Sequence, residues 1–75
     1  MIDIERVNQL KDSYKAEKPH WRIGQCLFNA IWKLYPKAAD KMRGSEADPF
    51  YADCMNDERV KACYLELKKM KGRLK

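Results

Sequence analysis

His20, Cys26, Cys54 and Cys63 are the side chains of this sequence best suited to metal or nucleophile chemistry. Together they have the composition of a Cys3His zinc set. Structural zinc sites, however, are assembled from close pairs, with about two to four residues between cysteines or about three to five between histidines. Here the successive ligands are separated by five, twenty-seven and eight residues. Cys26 and Cys63 also fall within apolar stripes of helical period, the usual setting of a thiol that acts as a small buried hydrophobe. An odd number of cysteines with no Cys-x-x-Cys pair argues against a disulfide scaffold. Thiol catalysis would need a histidine beside the nucleophile, and the single histidine, His20, follows Pro19 where a helix begins. It reads as a capping or surface residue. The expectation is three buried thiols, no metal, no cofactor and no catalytic residue.

Two charged groups could act in other ways. Glu46, Asp48, Asp53, Asp57 and Glu58 crowd a short stretch. They lack the alternating oxygen ligands and central glycine of a calcium loop. They read as helix caps and a solvated face, or as a docking surface for a basic partner in which Asp48 and Asp53 flank Phe50 and Tyr51. Lys68, Lys69, Lys71, Arg73 and Lys75 form a basic tail. Bases at a helix C-terminus complement its dipole and aid solubility, while a basic stripe is also the footprint of phosphate contact. An anionic protein surface is the third reading of that tail. Trp21, Phe28, Trp32 and Tyr35 are spaced by seven, four and three residues and are expected to share one side of a helix. Trp32 and Tyr35 are the candidates to remain exposed as interface anchors, together with Phe50 and Tyr51.

The elements that position these residues are helices. Ile4, Val7, Leu10 and Tyr14 recur on one helical face, which predicts a helix over about 4–16, with Asp3 as its N-cap. A second helix, about 21–35, is apolar on most sides, as a central helix is. Gly24 costs about 1 kcal/mol there relative to Ala, and marks a place where another backbone can approach closely. Pro36 ends that helix and starts a short third one, 36–43, followed by Gly44 as the C′ residue. An acidic connector, 45–56, contains the turn signal Asp48-Pro49. The last helix, about 57–72, carries Val60, Cys63, Tyr64, Leu67, Met70 and Leu74 at three- and four-residue steps. No strand-like alternation and no internal repeat occurs, so the prediction is a small all-α bundle of three to four helices forming one domain over 1–75. Leu27, Ile31, Leu34, Val60, Tyr64 and Leu67 are its expected core. No helix-turn-helix is recognisable, because the turn before Pro36 lacks glycine and the third helix is short.

Composition narrows the function classes. Apolar residues make up 45% of 75, too many for a disordered chain. A domain this small has little capacity to frame a deep pocket. The longest apolar run, Cys26 to Leu34, is broken by Asn29 and Lys33 and falls short of the roughly 18 residues that cross a membrane. Asp3, Glu5 and Asp12 argue against a secretory signal at the start, so a cytoplasmic location is expected. The net charge of +5 is unevenly distributed: +4 over 16–43, −5 over 44–58 and +6 over 59–75. Such asymmetry bears on partners rather than on fold.

The stretch from Arg22 to Tyr51, RIGQCLFNAIWKLYPKAADKMRGSEADPFY, resembles a family of short bacteriophage and prophage proteins. The resemblance rests on Gly24-Gln25, Leu27-Phe28-Asn29, Pro36, Arg43-Gly44 and Asp48-Pro49-Phe50, in that order and spacing. The basic tail lies outside it. The family supplies no reaction or cofactor to carry over. The resemblance implies a small phage accessory protein acting in the cytoplasm of a bacterial host, where such proteins bind host proteins and modulate them, most simply by inhibition. A monomer or small homo-oligomer that binds a bacterial host protein is the first expectation. A basic nucleic-acid-binding accessory protein is the second.

Overall fold

A computed structural model describes residues 2–70 and shows a small all-α domain of four helices. Helix α1 runs Ile4–Glu17. Asp3 caps it, its carboxylate accepting from the Arg6 amide at 3.1 Å, and Glu5 sits in the first turn. The chain leaves α1 through a turn in which the Trp21 amide donates to the Lys18 carbonyl at 2.9 Å. Lys15 fastens this turn by donating to the carbonyls of Pro19 and Trp21. Because Trp21 belongs to the turn, α2 begins two residues later than expected and runs Ile23–Leu34.

The α1 face departs from expectation in one residue. Val7 is fully buried, and Lys11 follows it at 8% exposure, while Ile4, Leu10 and Tyr14 are half-buried. The aliphatic stem of Lys11 lies along apolar surface. Its ammonium reaches the Asp12 carboxylate at 3.4 Å and lies 3.9 Å from the Met55 sulfur.

Helix α3, Pro36–Met42, has proline in its first turn and presents Ala38, Ala39 and Met42 inward. Gly44 has φ +75°, the left-handed conformation that glycine adopts without penalty just past a helix end. Helix α4 runs Glu58–Met70 and buries Val60, Cys63, Leu67 and Met70. The expected continuation to residue 72, and Leu74, lie outside the described residues.

Helix α2 packs against both α1 and α3, and α3 packs against α4. Two cross-links complete the assembly. The Tyr64 hydroxyl donates to Asn8 on α1, and the Cys63 thiol lies 3.7 Å from the Met42 sulfur. Of the expected core, Leu27, Ile31, Val60 and Leu67 are at most 1% exposed. Leu34 and Tyr64 are half-buried, Tyr64 turning its hydroxyl toward Asn8. Burial also pushes the Tyr64 phenol up to about 12. Ile2 is fully buried as well. No helix among the described residues is long and apolar enough to cross a membrane.

Asp57 begins α4. Its carboxylate accepts from the Arg59 amide at 2.8 Å and grips the Arg59 guanidinium at 3.0 and 2.9 Å. These bonds, first those from the guanidinium, lower the carboxyl from 3.8 to about 2. A lowered folded-state value means the contribution to stability is complete above about 3.8 and is lost as pH falls toward about 2. Carboxyl-carbon NMR is expected to show Asp57 titrating near 2, and Arg59→Ala to return it toward 3.8. A titration near 3.8 in the unmutated chain would contradict the cap geometry.

Candidate functional site

Four aromatic rings from α2 and the connector form a continuous ladder. Trp32 lies one helical turn beyond Phe28, and their rings stack at 6.5 Å with 20° between planes. Phe50, from the connector, meets Phe28 edge-on at 5.9 Å. Tyr51 meets Phe50 edge-on at 5.1 Å. Offset and edge-to-face contacts at these separations are the favourable geometries for aromatic pairs. The two ends are the open ones, Trp32 being 40% and Tyr51 64% exposed, while Phe28 is 7% exposed and anchors the middle. A guanidinium sits at each end. Arg43 lies 4.7 Å from the Trp32 ring and 5.9 Å from that of Phe28. Arg22 lies 6.0 Å from Tyr51 and pairs with Asp53 at 3.1 Å.

The connector is held against α2 by backbone contacts that need a glycine. The Gly24 amide donates to the Ala52 carbonyl at 2.9 Å, so a donor at the start of α2 left without a helical partner is satisfied from outside. A β-carbon on residue 24 would lie 1.7 Å from the Pro49 carbonyl oxygen. The close approach expected at Gly24 is thus between α2 and the connector. Asp48 shapes the loop from within, accepting from the Phe50 amide at 3.0 Å and from the Gly44 amide at 2.8 Å. Ser45 donates to the Met42 carbonyl at 2.7 Å and accepts from the Ala47 amide at 3.2 Å. The Arg59 guanidinium reaches the Tyr51 carbonyl at 3.4 Å. Phe50 and Tyr51 are therefore presented by a braced loop, which lowers the conformational entropy lost on binding.

The other expected site residues fall elsewhere. Tyr35 is half-buried, and its hydroxyl accepts from the Asp3 amide at 2.8 Å. It fastens the start of the chain and is not an exposed anchor. Trp21 packs on Tyr14 at 6.0 Å with the Lys18 ammonium over it at 5.1 Å. The four aromatics expected on one side thus divide, and only Phe28 and Trp32 stack. Asp48, Asp53 and Asp57 hold amides or guanidinium groups, so the acidic stretch is less of a free charged surface than its sequence indicates. Lys68 is exposed, and Lys69 pairs with Glu66 at 3.6 Å. Lys71, Arg73 and Lys75 lie outside the described residues. The sequence reading did not single out Arg22 and Arg43 as partners of the aromatics; an aromatic residue with an arginine near in space but distant in sequence leaves no local signal.

The thiols divide in the same way. Cys26 and Cys63 are buried, whereas Cys54 is exposed on the connector, contrary to expectation. Burial raises both buried thiols, Cys63 to about 12. Among the described residues no three His, Cys, Asp or Glu side chains are grouped to hold a metal ion. Titration of the native protein with an aromatic disulfide reagent is expected to modify Cys54 quickly, and Cys26 and Cys63 only on unfolding. Fast reaction of all three would contradict the burial. A separate groove of about 760 Å³ opens between the end of α3 and α4, lined by Met42, Ala47, Ala62, Leu65 and Met70 with Glu46, Glu66, Lys41 and Lys69 also on its walls. It shares no residue with the ladder.

No protein-family model, curated protein or solved structure matches this chain.

Proposed function

We propose that this chain is a non-enzymatic accessory protein that binds a bacterial host protein through the Trp32–Phe28–Phe50–Tyr51 ladder and modulates it, most simply by inhibition. The bacterial setting rests on the resemblance of residues 22–51 to phage proteins. The binding mode rests on the ladder: a row of aromatic rings open at both ends with an arginine at each, two rings from α2 and two from a loop braced by the Gly24 contact. Trp, Tyr and Arg are the residue types that carry most of the energy at protein interfaces. A small domain that leaves Trp32 and Tyr51 uncovered retains apolar surface available to a partner.

The ladder suits protein better than nucleic acid. The carboxylates of Asp53 and Asp40 lie 3.1 and 4.0 Å from Arg22 and Arg43 and would stand against a phosphate backbone. The test compares three tagged proteins on bacterial lysate, with captured proteins quantified by mass spectrometry. The wild type and the tail variant (Lys68, Lys69 and Lys71 to Glu) are expected to enrich the same protein, with slower association for the variant. The Trp32→Ala/Tyr51→Ala variant is expected to lose it. A gel shift with DNA and RNA that is abolished by tail reversal and weakens steeply with salt would instead support the nucleic-acid reading.

A further inference from the structure

The outer face of α2 adjoins the ladder and has a chemistry of its own. Helix α2 contains no Asp or Glu, its first turn has no acid, and its N-cap residue Arg22 makes no side-chain capping bond. The residues it turns outward are Gln25, Asn29, Trp32 and Lys33, with the N-cap Arg22 ahead of them, each half-buried or exposed. Their spacing of three, four, three and one places them on one stripe. Arg43 adds a guanidinium beside Trp32. Lys33 has no ion-pair partner among the described residues, whereas Arg22 and Arg43 each have one exposed carboxylate nearby, Asp53 and Asp40.

We infer that this stripe and the ladder together form a site for an acidic protein segment carrying an apolar side chain. The inference rests on the reading of the ladder as a protein-binding surface and adds the chemistry of the partner. Arg22, the N-cap, and Lys33, in the last turn, are eleven residues apart, about 16 Å of helix axis. A carboxylate of the partner meets Lys33, the cation of this stripe that has no ion-pair partner among the described residues, and an apolar side chain beside it covers the exposed part of Trp32. Gln25 and Asn29 supply amide hydrogen-bonding groups along the stripe, one Asn29 N–H being already given to the Gln25 carbonyl at 2.8 Å. The absence of any acid on α2 disfavours a basic segment, because like charges at an interface discriminate against the wrong partner.

The probes are labelled synthetic peptides of about four helical turns, read by fluorescence anisotropy on the full chain. The first is an amphipathic helix with a glutamate face and a leucine face. The second replaces each Glu by Lys, and the third replaces each Leu by Ser. A single-stranded oligothymidine is the fourth probe. The glutamate–leucine peptide is expected to bind, and to weaken about tenfold or more with Lys33→Glu and with Trp32→Ala. Lys33 is exposed and outside the core, so its variant is expected to melt like the wild type. The lysine and serine peptides are expected to bind more weakly. Absence of binding by the glutamate–leucine peptide overturns the inference, as does indifference to Lys33→Glu. A lysine peptide that binds better, and is lost with Trp32→Ala, overturns the acidic partner while leaving the ladder as a protein site. Binding of oligothymidine alone overturns both.

Discussion

Gly24→Ala is expected to destabilise the protein by about 3 kcal/mol, the upper end of what overpacking commonly costs. Helix propensity alone gives the opposite sign, favouring Ala over Gly by about 1 kcal/mol inside a helix. Packing outweighs propensity here because the added carbon would lie 1.7 Å from the Pro49 oxygen and 2.9 Å from the Ala52 β-carbon. Backbone cannot yield as the end of a flexible side chain can. The connector would have to move off α2, lengthening or breaking the Gly24–Ala52 hydrogen bond and withdrawing Phe50 from Phe28. In a domain of this size such a loss lowers the melting midpoint by on the order of 15 °C. Thermal unfolding followed by circular dichroism reads it directly, and an unchanged or raised midpoint would contradict the close contact.

Leu67→Ala and Leu27→Ala should each cost about 2–5 kcal/mol, from lost apolar burial and the cavity left behind. Both side chains are fully buried, Leu27 on the helix that packs against two others and Leu67 on the inner stripe of α4. Against a total stability of roughly 4–11 kcal/mol for a chain of this length, either change removes a large share of the folding free energy. Leu65→Ala is the control, since Leu65 lies on the same helix at 59% exposure. Denaturant titration is expected to shift the midpoint strongly for Leu67→Ala and little for Leu65→Ala. Equal shifts would mean that α4 is rotated from the packing described.

Helical periodicity carried most of the architecture. The steps of three and four in α2 and α4 identified Leu27, Ile31, Val60 and Leu67 as inward, because a helix pointing one stripe at a core leaves that spacing in its sequence. Pro36 and Gly44 marked boundaries through backbone restrictions that belong to the residues themselves. What the sequence did not show depends on chain crossings. Tyr35 looks like an exposed anchor until the start of the chain arrives beside it, thirty-two residues away in sequence, and takes its hydroxyl. Phe28 reads as core, yet it joins Trp32 to Phe50 only because the connector folds back over Gly24. The acids of the connector count as free charge in a sequence sum, while Asp48 turns both oxygens on local amides. Lys11 sits on an inward position, a placement that its long apolar stem permits and that binary patterning misses.

The most direct test of the ladder as the binding surface uses the two tryptophans as reporters in one molecule. Trp32 stands at the open end of the ladder, and Trp21 packs on Tyr14 beside the turn after α1. The indole N–H signals of both can be followed by NMR while the host protein captured from lysate is added in purified form. The Trp32 signal is expected to shift or broaden on binding while that of Trp21 stays in place. An unmoved Trp32 signal, with the changes confined to the amides of Lys68 to Lys75, would contradict the account and place the contact on the basic tail.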